Sequence, residues 1–422
     1  MNAFDNVIGY ETIKEELLQV CDMINNKDVY KELGAKIPHG VLLWGHPGLG
    51  KTLMAKSFIE ASGLPAYTLR KNKGDGSFVD AITKSFNEAK ENSPAIVFLD
   101  DVDKFANEEG NAEEYVAVQA GIDEVKDSDV LVIATANDID DLPDSLVRSG
   151  RFDRKIYVRI PSDDDAAEII SYYLSNKKIA DDVNLDDFTK MISYSSCAEL
   201  ETIINEAAIS AAYGRKENIE MADLVKAVLR REYLSPDAYA KATPEEIRKI
   251  ALHEAGHLVV SEVLVPESVG LASVSTSGRN FINGFVHRCK NLERRPYQIL
   301  AALAGKAAVE LYYSETVASG CDEDIERAIR TVRDGISCNA TQGLGMLDVS
   351  ILREGQSNLS NYCTESVTRA ELERYMIKTK DILLKNRDFL EKAADALEEK
   401  ETLLYSDIQA IKGSTTITSV AI

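Results

Sequence analysis

The chain has 422 residues, 45% hydrophobic and 28% charged, with a formal net charge of -22. That composition supports two or three cored domains, and so acidic a surface disfavours nucleic acid as a partner. Six cysteines, at positions 21, 197, 289, 321, 338 and 363, form neither a CxxC pair nor a zinc-finger spacing, which points to reduced thiols. No apolar run approaches the roughly 18–20 residues of a membrane span, and MNAFDNVIGY lacks the regions of a signal peptide, so the expected location is the cytoplasm.

From Met1 to about Pro161, short apolar strands alternate with amphipathic helices. The strands read Gly40–Trp44, Ala66–Arg70, Ala95–Leu99, Val130–Ala134 and Lys155–Ile160, and the first helix carries Ile13, Leu17, Val20 and Ile24 at helical spacing. Such alternation predicts a parallel sheet covered by helices on both faces, an α/β core.

GHPGLGKT, comprising Gly45, His46, Pro47, Gly48, Leu49, Gly50, Lys51 and Thr52, follows the first strand and opens a helix. This is the full phosphate-binding pattern in its required context. Backbone N–H groups turn inward around the phosphates, Lys51 reaches the β/γ-phosphates, and Thr52 ligates Mg²⁺, so ATP and Mg²⁺ are expected ligands. AIVFLDD ends the third strand in two acids: Asp100 fits the Mg²⁺ position and Asp101 the base that aligns the attacking water. Asn137, after DVLVIATA, reads equally as a contact to the γ-phosphate or water and as a turn-former. LVRSGRFDR holds Arg148, Arg151 and Arg154, which by themselves read as ordinary solvated surface or as cations completing a neighbouring subunit's site.

From Ser162 to about Arg231 four helices are predicted, a small lid. REYLSPDAYAKATPEE carries the next boundary. The expected domains are 1–161, 162–232 and 233–412, with a frayed tail over 413–422. The third domain reads as mostly helical with a β-like insert around Gly270–His287. A helix is predicted over Pro244–Leu264, with Thr243 as N-cap, Pro244 at the first position and Glu246 closing a capping box.

In the middle of that helix lies HEAGH. His253 and His257 stand at i and i+4, on one face, where both imidazoles can hold one Zn²⁺. Glu254 sits beside them to take a proton from water. No third histidine follows, so the remaining ligand falls to the acids of SGCDEDIERAI. Asp322, Glu323 and Asp324 are not separable by spacing, and acids at a helix start also have a purely structural role. His39, His46 and His287 are not assigned as ligands.

These residues together resemble the FtsH family of AAA+ zinc metalloproteases. The resemblance runs from about Phe4 to Lys412 through FDNVIGYETIKEELLQV, the P-loop, IVFLDD, ATAND, LVRSGRFDRKI, INEAAISAA, LHEAGH, LAGKAAVEL and GCDEDIERA, in that order. It implies an AAA+ core with a helical lid, an all-helical protease domain, a homo-hexameric ring, and ATP-driven delivery of protein substrates to Zn²⁺ sites. It picks Asp324 as third ligand, casts Arg148 and Arg151 as fingers reaching the adjacent subunit's ATP, and makes Asn137 a sensor.

Three departures stand out. The family is usually anchored by N-terminal membrane spans, and none is expected within this sequence. Asp101 replaces a glutamate, which retracts the carboxylate by about 1.5 Å, a misplacement that can cost about 10²-fold in rate. KNKGDGS occupies the place of the aromatic pore grip, with Phe78 displaced beyond it. The expected function is an ATP-driven metalloendopeptidase. A peptidase with a weak or gating ring, and a non-proteolytic remodeller, are the alternatives.

Overall fold

The computed structural model describes residues 3–71, 78–107, 112–148, 150–233, 243–278, 281–313, 321–337 and 358–420, with the backbone alone at 275–278, 281–284, 337 and 358–364. The expected pore-loop residues 72–77 and the boundary residues 234–242 lie outside the described residues, as does Cys338. The chain divides into two units: Met1–Lys177 with Tyr194–Ile204, and Lys178–Ser193 with Asn205–Ile422. The four helices expected as a lid are thus shared between the units.

Unit one is built on five parallel strands, β1 (Gly40–Trp44), β2 (Ala66–Leu69), β3 (Ala95–Leu99), β4 (Val130–Ala136) and β5 (Arg154–Tyr157), in the order β2-β3-β4-β1-β5. β1, β3 and β4 are almost wholly apolar because helices cover both their faces. The helices are α1 (Glu11–Asn25), α2 (Lys27–Glu32), α3 (Lys51–Ser62), α4 (Phe78–Glu91), α5 (Ala112–Val125), α6 (Asp144–Val147) and α7 (Asp163–Leu174). α1 buries Ile13, Leu17, Val20, Cys21 and Ile24, one stripe at helical spacing. α7 starts at a capping box between Ser162 and Asp165.

This strand order matters for the site. β4 lies between β1 and β3, so the chain leaving β4 passes between the P-loop and the acids after β3. In-register pairing of Trp44 with Ala136, and of Leu99 with Ala134, brings all three exits to one edge of the sheet. The carboxyl ends of parallel strands are where such sheets take ligands.

The remaining helices are α8 (Leu185–Met191), α9 (Cys197–Tyr213), α10 (Met221–Tyr233), α11 (Pro244–Leu264), α12 (Arg295–Tyr312), α13 (Asp322–Ser337), α14 (Asn358–Lys385), α15 (Arg387–Lys400) and α16 (Tyr405–Gly413). α11 is the axis of unit two: every residue from Ala251 to Glu262 is buried. Its start has the expected box, with Thr243 N donating to Glu246 Oε2 at 2.7 Å and Glu246 N to Thr243 Oγ1 at 3.3 Å.

Two expectations need correction in unit two. The all-helical protease domain implied by the resemblance contains an antiparallel three-stranded sheet, in the order β7-β6-β8, made of β6 (Val269–Gly278), β7 (Phe281–Arg288) and β8 (Thr402–Leu404). The insert around Gly270–His287 is its hairpin. The tail is not frayed over its described part. Asn386 holds Thr418 by two bonds, 2.8 Å to its N–H and 3.0 Å to its carbonyl, and Ile417 and Val420 pack on the core. Glu262, fully buried, fastens the same end of the chain through Lys412 Nζ at 2.6 Å.

Candidate functional site

At the sheet edge of unit one, the P-loop joins β1 to α3. Gly48 and Gly50 have φ of 80° and 84°, a left-handed backbone that glycine adopts without a Cβ clash. Lys51 is buried. Its ammonium donates to Gly45 O at 2.6 Å, His46 O at 2.8 Å and Asn137 Oδ1 at 3.1 Å. Burial lowers its pKa, against the raising fields of Asp101, Asp103 and Asp100.

Thr52 Oγ1 donates to Asp100 Oδ1 at 2.8 Å, and Thr135 Oγ1 donates to the same oxygen at 2.9 Å. The hydroxyl and the carboxylate that hold Mg²⁺ in P-loop ATPases are therefore already adjacent. Asn137 is gripped from the other side: its N–H and its side-chain amide both donate to Asp103 Oδ2, at 3.1 and 3.0 Å. Asp101 sits at φ 57° with its N–H on Thr135 Oγ1 at 2.9 Å. Its carboxylate meets Lys104 at 2.6 Å and Arg70 at 3.6 Å. Asp103 and Thr135 were missed from the sequence. The D-x-x-D spacing of Asp100 and Asp103 was the available signal.

Of the two arginines expected to reach a neighbour, Arg151 is buried and committed within its own chain. Its guanidinium forks onto Asp123 at 3.0 and 2.6 Å and donates to Ser145 O at 2.6 Å. Arg148 is exposed. Phe78 opens α4 and is buried edge-on against Phe105, with ring centroids 5.0 Å apart, so its ring is core.

In unit two, α11 presents His253 and His257 to α12 and α13. His257 Nδ1 donates to Ala301 O at 2.7 Å; a carbonyl only accepts, so the lone pair lies on Nε2. That Nε2 stands 3.0 Å from His253 Nε2 and 3.0 Å from Asp324 Oδ2, and His253 Nε2 stands 3.3 Å from the same oxygen. Three donors this close match the edges of a tetrahedron, about 3.3 Å for zinc bonds of about 2.0–2.1 Å. Two imidazoles and one carboxylate form a donor set that fits zinc. Among the described residues these three form the one such cluster. Asp322 and Glu323 are exposed. His39, His46 and His287 are outside the cluster, and burial depresses the His287 pKa to about 4.

Close helix packing makes the convergence possible. A Cβ built on Gly256 would lie 2.5 Å from Ala304 O, and one on Gly305 would lie 2.5 Å from His257 Nε2 and against the His253 ring. α11 and α12 therefore cross through two glycines. Gly305, unassigned from the sequence, belongs to the LAGKAAVEL stretch, and Ala301 lies two residues before it.

Charge is concentrated here. Burial would raise the Asp324 pKa, but His257 and His253 override it and hold the carboxyl well below its usual range. Burial lowers His253, yet Asp324, Cys321 and Glu254 outweigh it and bring it up to about 10. Glu254 is buried and its pKa is raised by that burial, against the lowering fields of His253 and His257. A carboxyl tuned upward beside such a cluster accepts a proton more readily than an ordinary one. Its Oε1 lies 4.0 Å from His253 Nε2.

The comparisons agree with this geometry. Residues 41–160 match the model of the ATPase family associated with various cellular activities, and residues 240–411 match that of peptidase family M41. The chain is 32% identical to the ATP-dependent zinc metalloprotease FtsH of Leptotrichia buccalis over 97% of this chain and 56% of the relative. It is 32% identical to FtsH 2 of Sphaerobacter thermophilus over 88% and 59%, and 30% identical to FtsH of Caldicellulosiruptor bescii over 95% and 70%. The chain thus spans between half and two thirds of the length of the first two. Among the described residues no helix is long and apolar enough to cross a membrane. With a P-loop sheet in one unit, a histidine pair closed by an aspartate in the other, and this extent of identity, the chain belongs to the FtsH family.

Proposed function

We propose that this chain is an ATP-dependent zinc metalloendopeptidase, working as a homo-hexamer on protein or peptide substrates. The observation that carries the reading is the convergence of His253, His257 and Asp324 beside the buried Glu254. His253, His257 and Asp324 hold Zn²⁺, which supplies Lewis-acid activation of water and polarisation of the scissile carbonyl. Glu254 takes the water proton and returns it to the leaving amine. In unit one, Gly45–Thr52 and Asp100 bind ATP and Mg²⁺, Asn137 contacts the γ-phosphate, and Asp101 aligns water for hydrolysis. Arg148 reaches the adjacent subunit's ATP, and Arg151 shapes the loop that presents it. The ATPase core is assigned to 1–161, the lid to 162–232, the peptidase to 233–412 and the tail to 413–422, and the protein is placed in the cytoplasm.

Separating metal binding from chemistry tests the peptidase. Glu254→Gln should retain stoichiometric zinc and lose casein cleavage by at least about 10²-fold, while Asp324→Ala should lose zinc as well. Both should keep ATPase activity. Metal analysis of the purified proteins decides the ligand set, and full zinc with activity in Asp324→Ala would show that another group closes the site.

A second reading has support of its own: a zinc peptidase whose ring assembles and gates but unfolds weakly. It is favoured by Asp101, paired with Lys104, and by Phe78, held in the core. Degradation of a stably folded tagged protein against casein, with and without ATP, separates the two. ATP-independent casein cleavage with an intact folded substrate would favour the second.

A further inference from the structure

Beside the histidine–aspartate cluster, unit two has a cavity of about 530 Å³ whose lining includes Arg288, Lys290, Glu293, Ala302 and Arg327. Two of these residues tie it to the cluster. Ala302 follows Ala301, whose carbonyl holds His257, and Arg327 lies one turn beyond Asp324 on α13, with Nη2 4.0 Å from Asp324 Oδ1. Arg288 ends β7, an edge strand of the sheet, and its Nε donates to Ser261 Oγ at 2.9 Å, one turn past His257 on α11.

The charge of this cavity is lopsided. Three cations face one carboxylate, Glu293. Lys290 is drawn away to Glu267 Oε2 at 3.2 Å and Pro266 O at 3.3 Å. Arg327 has the long contact to Asp324 and is largely exposed. Arg288 is in no ion pair among the described residues, and burial and the neighbouring Arg327 push its pKa down to about 10, against the raising fields of Asp324 and Glu254. A half-buried guanidinium is stabilised by an anion bound directly to it, and its planar fork matches a carboxylate. This cationic wall stands out in a chain of net charge -22, which would otherwise repel acidic substrates.

We propose that Arg288 and Arg327 form a carboxylate-binding subsite beside the zinc centre, selecting polypeptides with an acidic group near the scissile bond. The group is either an Asp or Glu side chain or a free C-terminal carboxylate. The proposal rests on the peptidase reading above and adds its substrate preference.

Binding and turnover are measured apart, so that the two can fail separately. The full chain carrying Glu254→Gln, loaded with zinc, is titrated with three short fluorescent peptides: an amidated peptide with an internal Glu, its amidated Gln isostere, and the Gln peptide with a free C-terminus. At least one carboxylate peptide should bind about tenfold tighter than the amidated Gln peptide, and which one does names the source. Arg288→Met should close the gap to within about twofold, Arg327→Gln should narrow it, and Arg288→Lys should keep part of it. Zinc content and melting temperature confirm folding of each variant. Equal binding of all three peptides, no binding at all, or a preference that survives both substitutions overturns the subsite. With Glu254 intact, a chain that shows the preference but cleaves none of the peptides defeats the peptidase reading and leaves the subsite standing.

Discussion

In the proposed function, Asp101 is the residue expected to set the rate of ATP hydrolysis. It is one methylene shorter than the glutamate of the family pattern, and its carboxylate is engaged by Lys104 at 2.6 Å and Arg70 at 3.6 Å. A carboxylate held by two cations is held away from the water it would align. Lys104 is 57% exposed, so the pair contributes little to stability. Lys104→Ala is expected to raise ATP turnover by about three- to tenfold with unchanged ATP affinity, whereas Asp101→Asn should bind ATP and fail to hydrolyse it. Steady-state ATPase rates with a nucleotide titration check both. Normal hydrolysis in Asp101→Asn would move the base elsewhere, with Asp103 next in line because its Oδ1 is buried and has no hydrogen-bond partner among the described residues.

The zinc centre belongs to a pair of helices more than to single side chains. α11 and α12 approach until Gly256 faces Ala304 O and Gly305 faces both imidazoles. Gly305→Ala is therefore expected to push the histidine rings apart and lower zinc affinity by about 10–100-fold while leaving ATPase activity intact. A zinc competition titration reads this, and wild-type affinity would mean that α12 shifts to make room.

This packing also shows what the sequence could and could not disclose. The five parallel strands and α11 were legible because periodicity, capping and the P-loop are local signals, and β1, β3 and α11 have the predicted ends. HEAGH was legible for the same reason, since i and i+4 share a helix face. β8 was not, because its three residues carry no period and their partner strand lies about 130 residues away in sequence. Spacing left Asp322, Glu323 and Asp324 open, because the start of α13 relative to α11 is set by tertiary packing. Arg288 was invisible because an arginine at a strand end reads as surface until its surroundings are known.

At the scale of the whole molecule, the arginines offer a test of the proposed hexamer. Arg151 is spent inside its own subunit on Asp123 and Ser145 O, so Arg151→Ala is expected to lower the melting temperature and gives an unclean test. Arg148 is exposed on the loop between α6 and β5, and it is the better candidate for a group acting across a subunit boundary. Two defective subunits can then repair each other. An Arg148→Ala subunit keeps its P-loop, and a Lys51→Ala subunit keeps its arginine. Each alone should be inactive, the first for lack of transition-state charge and the second for lack of bound nucleotide. In a ring assembled from equal amounts of both, about one boundary in four joins an intact P-loop to an intact arginine, so the mixture should recover about a quarter of the wild-type ATPase rate per site. Native mass spectrometry on subunits of distinguishable mass establishes that joint hexamers have formed. Joint hexamers without recovered ATPase would place Arg148 outside the neighbour's site, and an active Arg148→Ala homo-oligomer would show that the site is complete within one chain.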